Sequence, residues 1–163
     1  MKKIYHFTNG YCAKGINRTQ KIELEGRQLE KLYDKWVRTG EIDRLPPKQV
    51  ADVVFRLNCN KSCYNKTGRY VWFSEEPAAT ANGADYGYEF DAKEIGAVPW
   101  TEVKKKVLRN ASCKTKKLIK NLDRIARADG DDPSKYWVLD RELSLTDVNY
   151  QFVQVEVKER SVA

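Results

Sequence analysis

One histidine, His6, serves the whole chain, and that scarcity removes most familiar catalytic arrangements. A Ser–His–Asp or Cys–His site would have to use it. The chain also lacks a Walker loop, a G-x-S-x-G elbow, an H-E-x-x-H helix and a glycine-rich dinucleotide turn after a strand. No apolar run approaches the roughly 18 residues that a spanning helix needs, so no membrane partner is expected. The N-terminus passes from Met1-Lys2-Lys3 straight into Ile4-Tyr5-His6-Phe7-Thr8, too short and too polar for a secretory signal. The expected location is the cytoplasm. Four cysteines, Cys12, Cys59, Cys63 and Cys113, include one C-x3-C pair, but the paired knuckles of a zinc site are missing. Cytosolic redox poise disfavours disulfides, so free thiols and no bound metal are expected.

What is present is a globular composition, 41% hydrophobic and 33% charged, with a formal net charge of +7. Segment 101–130 alone holds ten Lys/Arg against three acids, an excess equal to the whole net charge. Charge concentrated in this way marks a polyanionic partner or a solvated helix face. The candidate contact residues are Lys104, Lys105, Lys106, Lys116, Lys117, Lys120, Arg124 and Arg127. Lys116, Lys120 and Arg127 can share one side of a helix opposite a Leu118, Leu122 and Ile125 stripe, with Lys104 to Lys106 extending that side from the preceding turn.

Along the chain, a first strand is expected over Lys2–Thr8, ending at the Asn9-Gly10 turn signal. Residues 11–26 show no strong period beyond the alternation of Ile22 and Leu24. A helix fits Arg27–Thr39, where Leu29, Leu32, Tyr33, Trp36 and Val37 make one apolar stripe and Gly40 stops it. Pro46-Pro47 opens another through Leu57. Further strands are expected at Arg69–Ser74, Tyr86–Asp91, Tyr136–Asp140 and Tyr150–Lys158, with a small-residue loop over 78–87 and a turn at Val98-Pro99-Trp100. The basic segment reads as helix and ends at Gly130-Asp131-Asp132-Pro133. Strands at both ends with helices between them make a single α+β domain over residues 1–163, built on a split mixed sheet.

The order of strand ends carries a resemblance. Ile4-Tyr5-His6-Phe7-Thr8 opens the chain, and Tyr70-Val71-Trp72-Phe73-Ser74 follows some sixty residues later. Tyr88-Glu89-Phe90 and Tyr136-Trp137-Val138-Leu139 come after. This order resembles the ADP-ribosyltransferase-like fold, whose split sheet grips nicotinamide adenine dinucleotide (NAD) between its halves. Small proteins of this look occur among phage and bacterial toxin or counter-defence genes. The resemblance implies NAD as a substrate, with His6 and Ser74 as catalytic residues. It implies cofactor contacts from His6, Thr8, Ser74, Tyr86 and Tyr88. The family's catalytic carboxylate stands near the start of a late strand. Here that strand begins Ser134-Lys135-Tyr136-Trp137 without an acid, and Glu142 takes the role; Glu156, Asp131 and Asp132 are the other acids nearby.

Two functions are therefore expected as alternatives. One is NAD-dependent transfer of ADP-ribose to nucleic acid or protein. The other is a non-enzymatic basic module that binds nucleic acid or inhibits a host protein.

Overall fold

In the computed structural model, which describes residues 1–62, 68–76, 86–128 and 130–154, strands bracket the helices from both ends. The order is β1 (Lys3–Thr8), α1 (Gly10–Thr19), β2 (Lys21–Ile22), α2 (Glu25–Thr39), α3 (Pro47–Ser62) and β3 (Val71–Ser74). There follow β4 (Tyr86–Asp91), α4 (Ala92–Ile95), β5 (Val98–Pro99), α5 (Trp100–Arg109) and α6 (Cys113–Ala128). The chain closes with β6 (Tyr136–Leu139), β7 (Leu143–Ser144) and β8 (Gln151–Gln154). The fold class is α+β. No helix among the described residues is long and apolar enough to cross a membrane.

Six strands form one sheet in the order β5-β6-β3-β1-β4-β8, and β2 pairs with β7 in a two-stranded ribbon. Every pairing among the described residues is antiparallel. The expected mixed sheet is corrected on this point. Antiparallel neighbours need no β-α-β crossover, so α1, α2 and α3 can all stand between β1 and β3. The first strand sits at the centre. It pairs with β4 along its whole length, from Lys3↔Asp91 to Thr8↔Tyr86, but meets β3 at one register point, Tyr5↔Ser74. Beyond that point the two central strands part.

The two faces of the sheet are covered differently. Ile4, Val71, Phe73, Tyr88, Phe90 and Leu139 bury one face against Ile16 of α1, Ile22 of β2 and the β7 end. Trp72, Tyr136 and Val138 turn the other way, onto Trp100 of α5 and Ile119 of α6. A third cluster joins Leu32 and Trp36 of α2 to Val53 of α3. Gly87 on β4 allows a close approach: a Cβ there would stand 2.7 Å from the Phe7 ring and 3.0 Å from Val153.

Several local expectations change. Asn9-Gly10 is a helix start and not a turn: the Asn9 side chain accepts from the Cys12 N–H at 2.9 Å, capping α1. Val37 is 54% exposed, so the α2 stripe narrows to Leu32 and Trp36 with Leu29 and Tyr33 beside them. Gly40 ends that helix in the left-handed region at φ 74°, as a C-terminal glycine should. Val98-Pro99-Trp100 is a short strand running into the first residue of α5, and the basic segment is two helices. Ser112 divides them, its hydroxyl accepting from the Thr115 N–H at 3.2 Å. Thr115 and Ile119 are the fully buried side chains of α6, with Leu122 and Ala126 following one turn apart, so its inward stripe is rotated from the expected one. Residues 78–85 of the small-residue loop, Cys63, and Val155 to Lys158, including Glu156, lie outside the described residues.

Candidate active-site cleft and basic face

A cleft of about 310 Å³ opens between the sheet and the helices on the Trp72 face. Tyr5, Trp72, Ser74 and Tyr136 line its sheet side, while Ile119, Leu122 and Ala126 of α6 form one wall. Glu25 and Gln28 of α2 and Arg56 of α3 form another. The register explains the gathering. Ser74 pairs with both Tyr5 and Tyr136, and side chains directly opposite one another share a face.

His6 also lines this cleft, though alternation along β1 groups it with buried Ile4 and Thr8. Its Nδ1 lies 2.9 Å from the Trp72 carbonyl oxygen, across the opening between β1 and β3. A carbonyl only accepts, so Nδ1 carries the proton and Nε2 carries the lone pair. Burial lowers the His6 pKa, and the bond to Trp72 opposes that shift only in part, so the ring is neutral near pH 7. Nε2 is buried and has no hydrogen-bond partner among the described residues. An unmet buried acceptor of this kind costs about 1–3 kcal/mol, and a ligand hydroxyl would recover it.

Of the other residues implied by the resemblance, Ser74 alone joins His6 in the cleft; its hydroxyl accepts from the Glu76 N–H at 3.3 Å. Thr8 is buried on β1 away from the cleft lining. Tyr88 is wholly buried and its hydroxyl donates to Asn17 Oδ1 at 2.7 Å. Tyr86 stacks on Phe152 with ring centroids 5.9 Å apart. Glu142 is exposed between β6 and β7 and does not line the cleft. Asp132 caps the turn before β6 by accepting from the Ser134 N–H and hydroxyl.

The acids that do line the cleft are Glu25, Asp123 and Asp131. Asp123 is tied to Lys104, and Asp131 accepts from the Tyr136 hydroxyl at 2.9 Å. Burial, and then the nearby Asp131 charge, push the Tyr136 pKa up, keeping that hydroxyl a donor. Glu25 places one oxygen 3.0 Å from the Arg56 guanidinium. Neither Glu25 nor Arg56 stood out in the sequence. A Glu at a helix start reads as ordinary dipole compensation, and only the packing of α2 against α3 brings Arg56 to it.

The basic residues divide. Lys104 is part-buried in its ion pair with Asp123, so it leaves the expected polyanion face. Lys105 and Lys106 are exposed on α5. Lys116, Lys117, Lys120, Arg124 and Arg127 are exposed on α6 and make no ion pair among the described residues. At 3.6 residues per turn these five fall within an arc of about 100° opposite the buried Thr115 and Ile119. Cys12 and Cys113 are free thiols, and the Cys59 side chain lies outside the described residues.

No protein-family model, curated protein or solved structure matches the chain.

Proposed function

We propose that this cleft binds NAD and that the chain transfers ADP-ribose from it to an acidic macromolecule, on an ADP-ribosyltransferase-like fold. The observation that carries the reading is the neutral His6 ring at the opening of the sheet, its Nε2 unmet, in one cleft with the Ser74 hydroxyl. Nε2 accepts and cannot donate, which suits a ribose hydroxyl. Arg56 offers a planar donor fork for a pyrophosphate, and Trp72 and Tyr136 offer aromatic surface for a ring.

In the reaction the bond from ribose C1′ to the nicotinamide nitrogen breaks, and its electron pair leaves with neutral nicotinamide. A nucleophile of the acceptor bonds to C1′ and gives up its proton to solvent water. Positive charge builds on the ribose between these events, and a fixed carboxylate lowers its energy. Glu142 stands away from the cleft, so we assign this role to Glu25, held in place by its ion pair with Arg56. His6→Ala and Ser74→Ala should each lower dinucleotide consumption at least tenfold, about 1.4 kcal/mol of transition-state stabilisation. Glu25→Gln should do the same while dinucleotide binding persists, and Glu142→Gln should leave turnover near the parent value. Unchanged turnover in the His6 and Ser74 variants, or no dinucleotide binding at millimolar concentration, rejects the enzyme.

One observation favours the second reading, a basic module that binds without chemistry: the exposed cations of α6, Lys116, Lys117, Lys120, Arg124 and Arg127 among them, which make no ion pair among the described residues. Reversing Lys116, Lys117 and Lys120 to Glu should weaken polyanion binding steeply in a salt titration, because Lys and Arg release condensed counterions on binding. Folding stability should stay within about 0.5 kcal/mol. A triple variant that folds and keeps every interaction leaves α6 as a solvated face.

A further inference from the structure

A second cleft, of about 520 Å³, lies between α1 and α2 on the other side of Gln28, which lines both. Its walls are cationic. Lys14 and Arg18 come from α1, Lys21 from β2, and Lys31 and Arg38 from α2. Among the described residues the only acid lining it is Glu23, which sits 2.6 Å from Lys31. Lys14, Arg18, Lys21 and Arg38 are exposed and make no ion pair among the described residues. Lys14 and Arg18 stand at i and i+4, so they repel one another along the helix. An isolated helix gains nothing from that spacing, whereas an anion lying along it gains from both charges.

The periodicity makes a track. On α2, Lys31, Lys35 and Arg38 follow at helical spacing and face the α1 row. Lys35 is held by Glu41 at 3.0 Å and stands over the Tyr11 ring, 4.6 Å from its centroid. Tyr11 lines the cleft and is 40% exposed. Exposed Lys14, Arg18, Lys21 and Arg38, without ion pairs among the described residues and beside an exposed aromatic ring, are what a phosphate backbone with unstacked bases requires. A duplex keeps its bases stacked inside and has no use for the ring. We infer that this cleft binds single-stranded nucleic acid, with Lys14, Arg18, Lys21 and Arg38 on phosphates and Tyr11 stacked on a base. Through Gln28 a bound strand borders the first cleft, and its service as the acceptor rests on the transfer reading. The binding does not, and it is tested without dinucleotide.

The test is fluorescence anisotropy of a short labelled single-stranded oligonucleotide with the full chain, over a range of salt. Lys14→Glu/Arg18→Glu should weaken binding at least tenfold and flatten the log–log salt slope by about 1.4, two phosphates at roughly 0.7 each. Tyr11→Ala should weaken it about tenfold with the slope unchanged, because stacking releases no counterions. Lys93→Glu, an exposed position on α4 that lines neither cleft, should change it less than threefold. Circular dichroism and thermal melting confirm that each variant is folded. Equal affinity for duplex and single strand, an equal loss in Lys93→Glu, full binding in both cleft variants, or no binding at low salt would each overturn the inference.

Discussion

Tyr88→Ala is expected to cost about 3–5 kcal/mol of folding stability, enough to unfold many domains outright. The ring is wholly buried on the strand next to β1, with Phe152 edge-on at 5.2 Å between ring centroids. Its hydroxyl donates to Asn17 Oδ1, with the Ala13 carbonyl 3.3 Å away, fastening α1 to the sheet. Burial first, and then Tyr150 nearby, push its pKa up to about 12, so the hydroxyl remains a donor throughout the neutral range. Tyr88→Phe keeps the packing and loses the bond, for about 1 kcal/mol. Urea unfolding measures both. Dinucleotide binding by folded Tyr88→Phe should match the parent, because Tyr88 belongs to the core and not to the cleft; a selective loss of binding would return it to the site.

Acid should destabilise the protein at a pH where carboxylates are still ionised, and His6 should be the cause. Burial depresses its folded-state pKa, whereas in the unfolded chain it titrates near 6.5. Between those two values the unfolded chain binds the extra proton, so stability falls as pH falls. The contribution is intact above about pH 6.5 and drains away below it, with a slope approaching about 1.4 kcal/mol per pH unit. Unfolding curves collected from pH 7.5 down to about pH 5 would show it. His6→Phe should flatten that limb, since the chain has no other histidine. A limb that persists in the variant would assign the acid sensitivity elsewhere. A bound dinucleotide that meets Nε2 should change the limb's position, linking this measurement to the proposed site.

Elements with long, clean periods were legible in the sequence. Tyr86–Asp91 forms the expected strand to the residue, and Leu32 and Trp36 lie in the expected stripe. α1 was not legible, because its inward face consists of only Ala13 and Ile16, too few for a period, and Asn9-Gly10 signals a turn as well as a cap. For the same reason the cations Lys14 and Arg18 showed no pattern: summed charge outside 101–130 is near zero, and only folding α1 against α2 separates them from their acids. In the first cleft, His6 and Ser74 could be read from strand ends, since register carries them together. Glu25 and Arg56 could not, because no local rule fixes how α2 and α3 lean over a sheet. Tyr86 and Tyr88 looked alike in sequence. Both point to the same face of β4; Tyr88 is buried inside the strand, opposite His6 and Phe152, whereas Tyr86 stands at its first residue and is only partly covered.

The central place of β1 also bears on how the chain becomes a protein during synthesis. β1 is made before the strands it pairs with, and it has no sheet partner until Ser74 and then Tyr86 to Asp91 have been made. Its hydrogen-bonding edges and the apolar side chains of Ile4 and Phe7 must wait through the synthesis of three helices. α2 and α3 can meet early, through Leu32, Trp36 and Val53, without any sheet. Closure of the sheet then depends on contacts far apart in sequence, the kind that fold slowly. Early helical pairing and late sheet closure give this chain a long interval in which its first strand is open to whatever else is nearby.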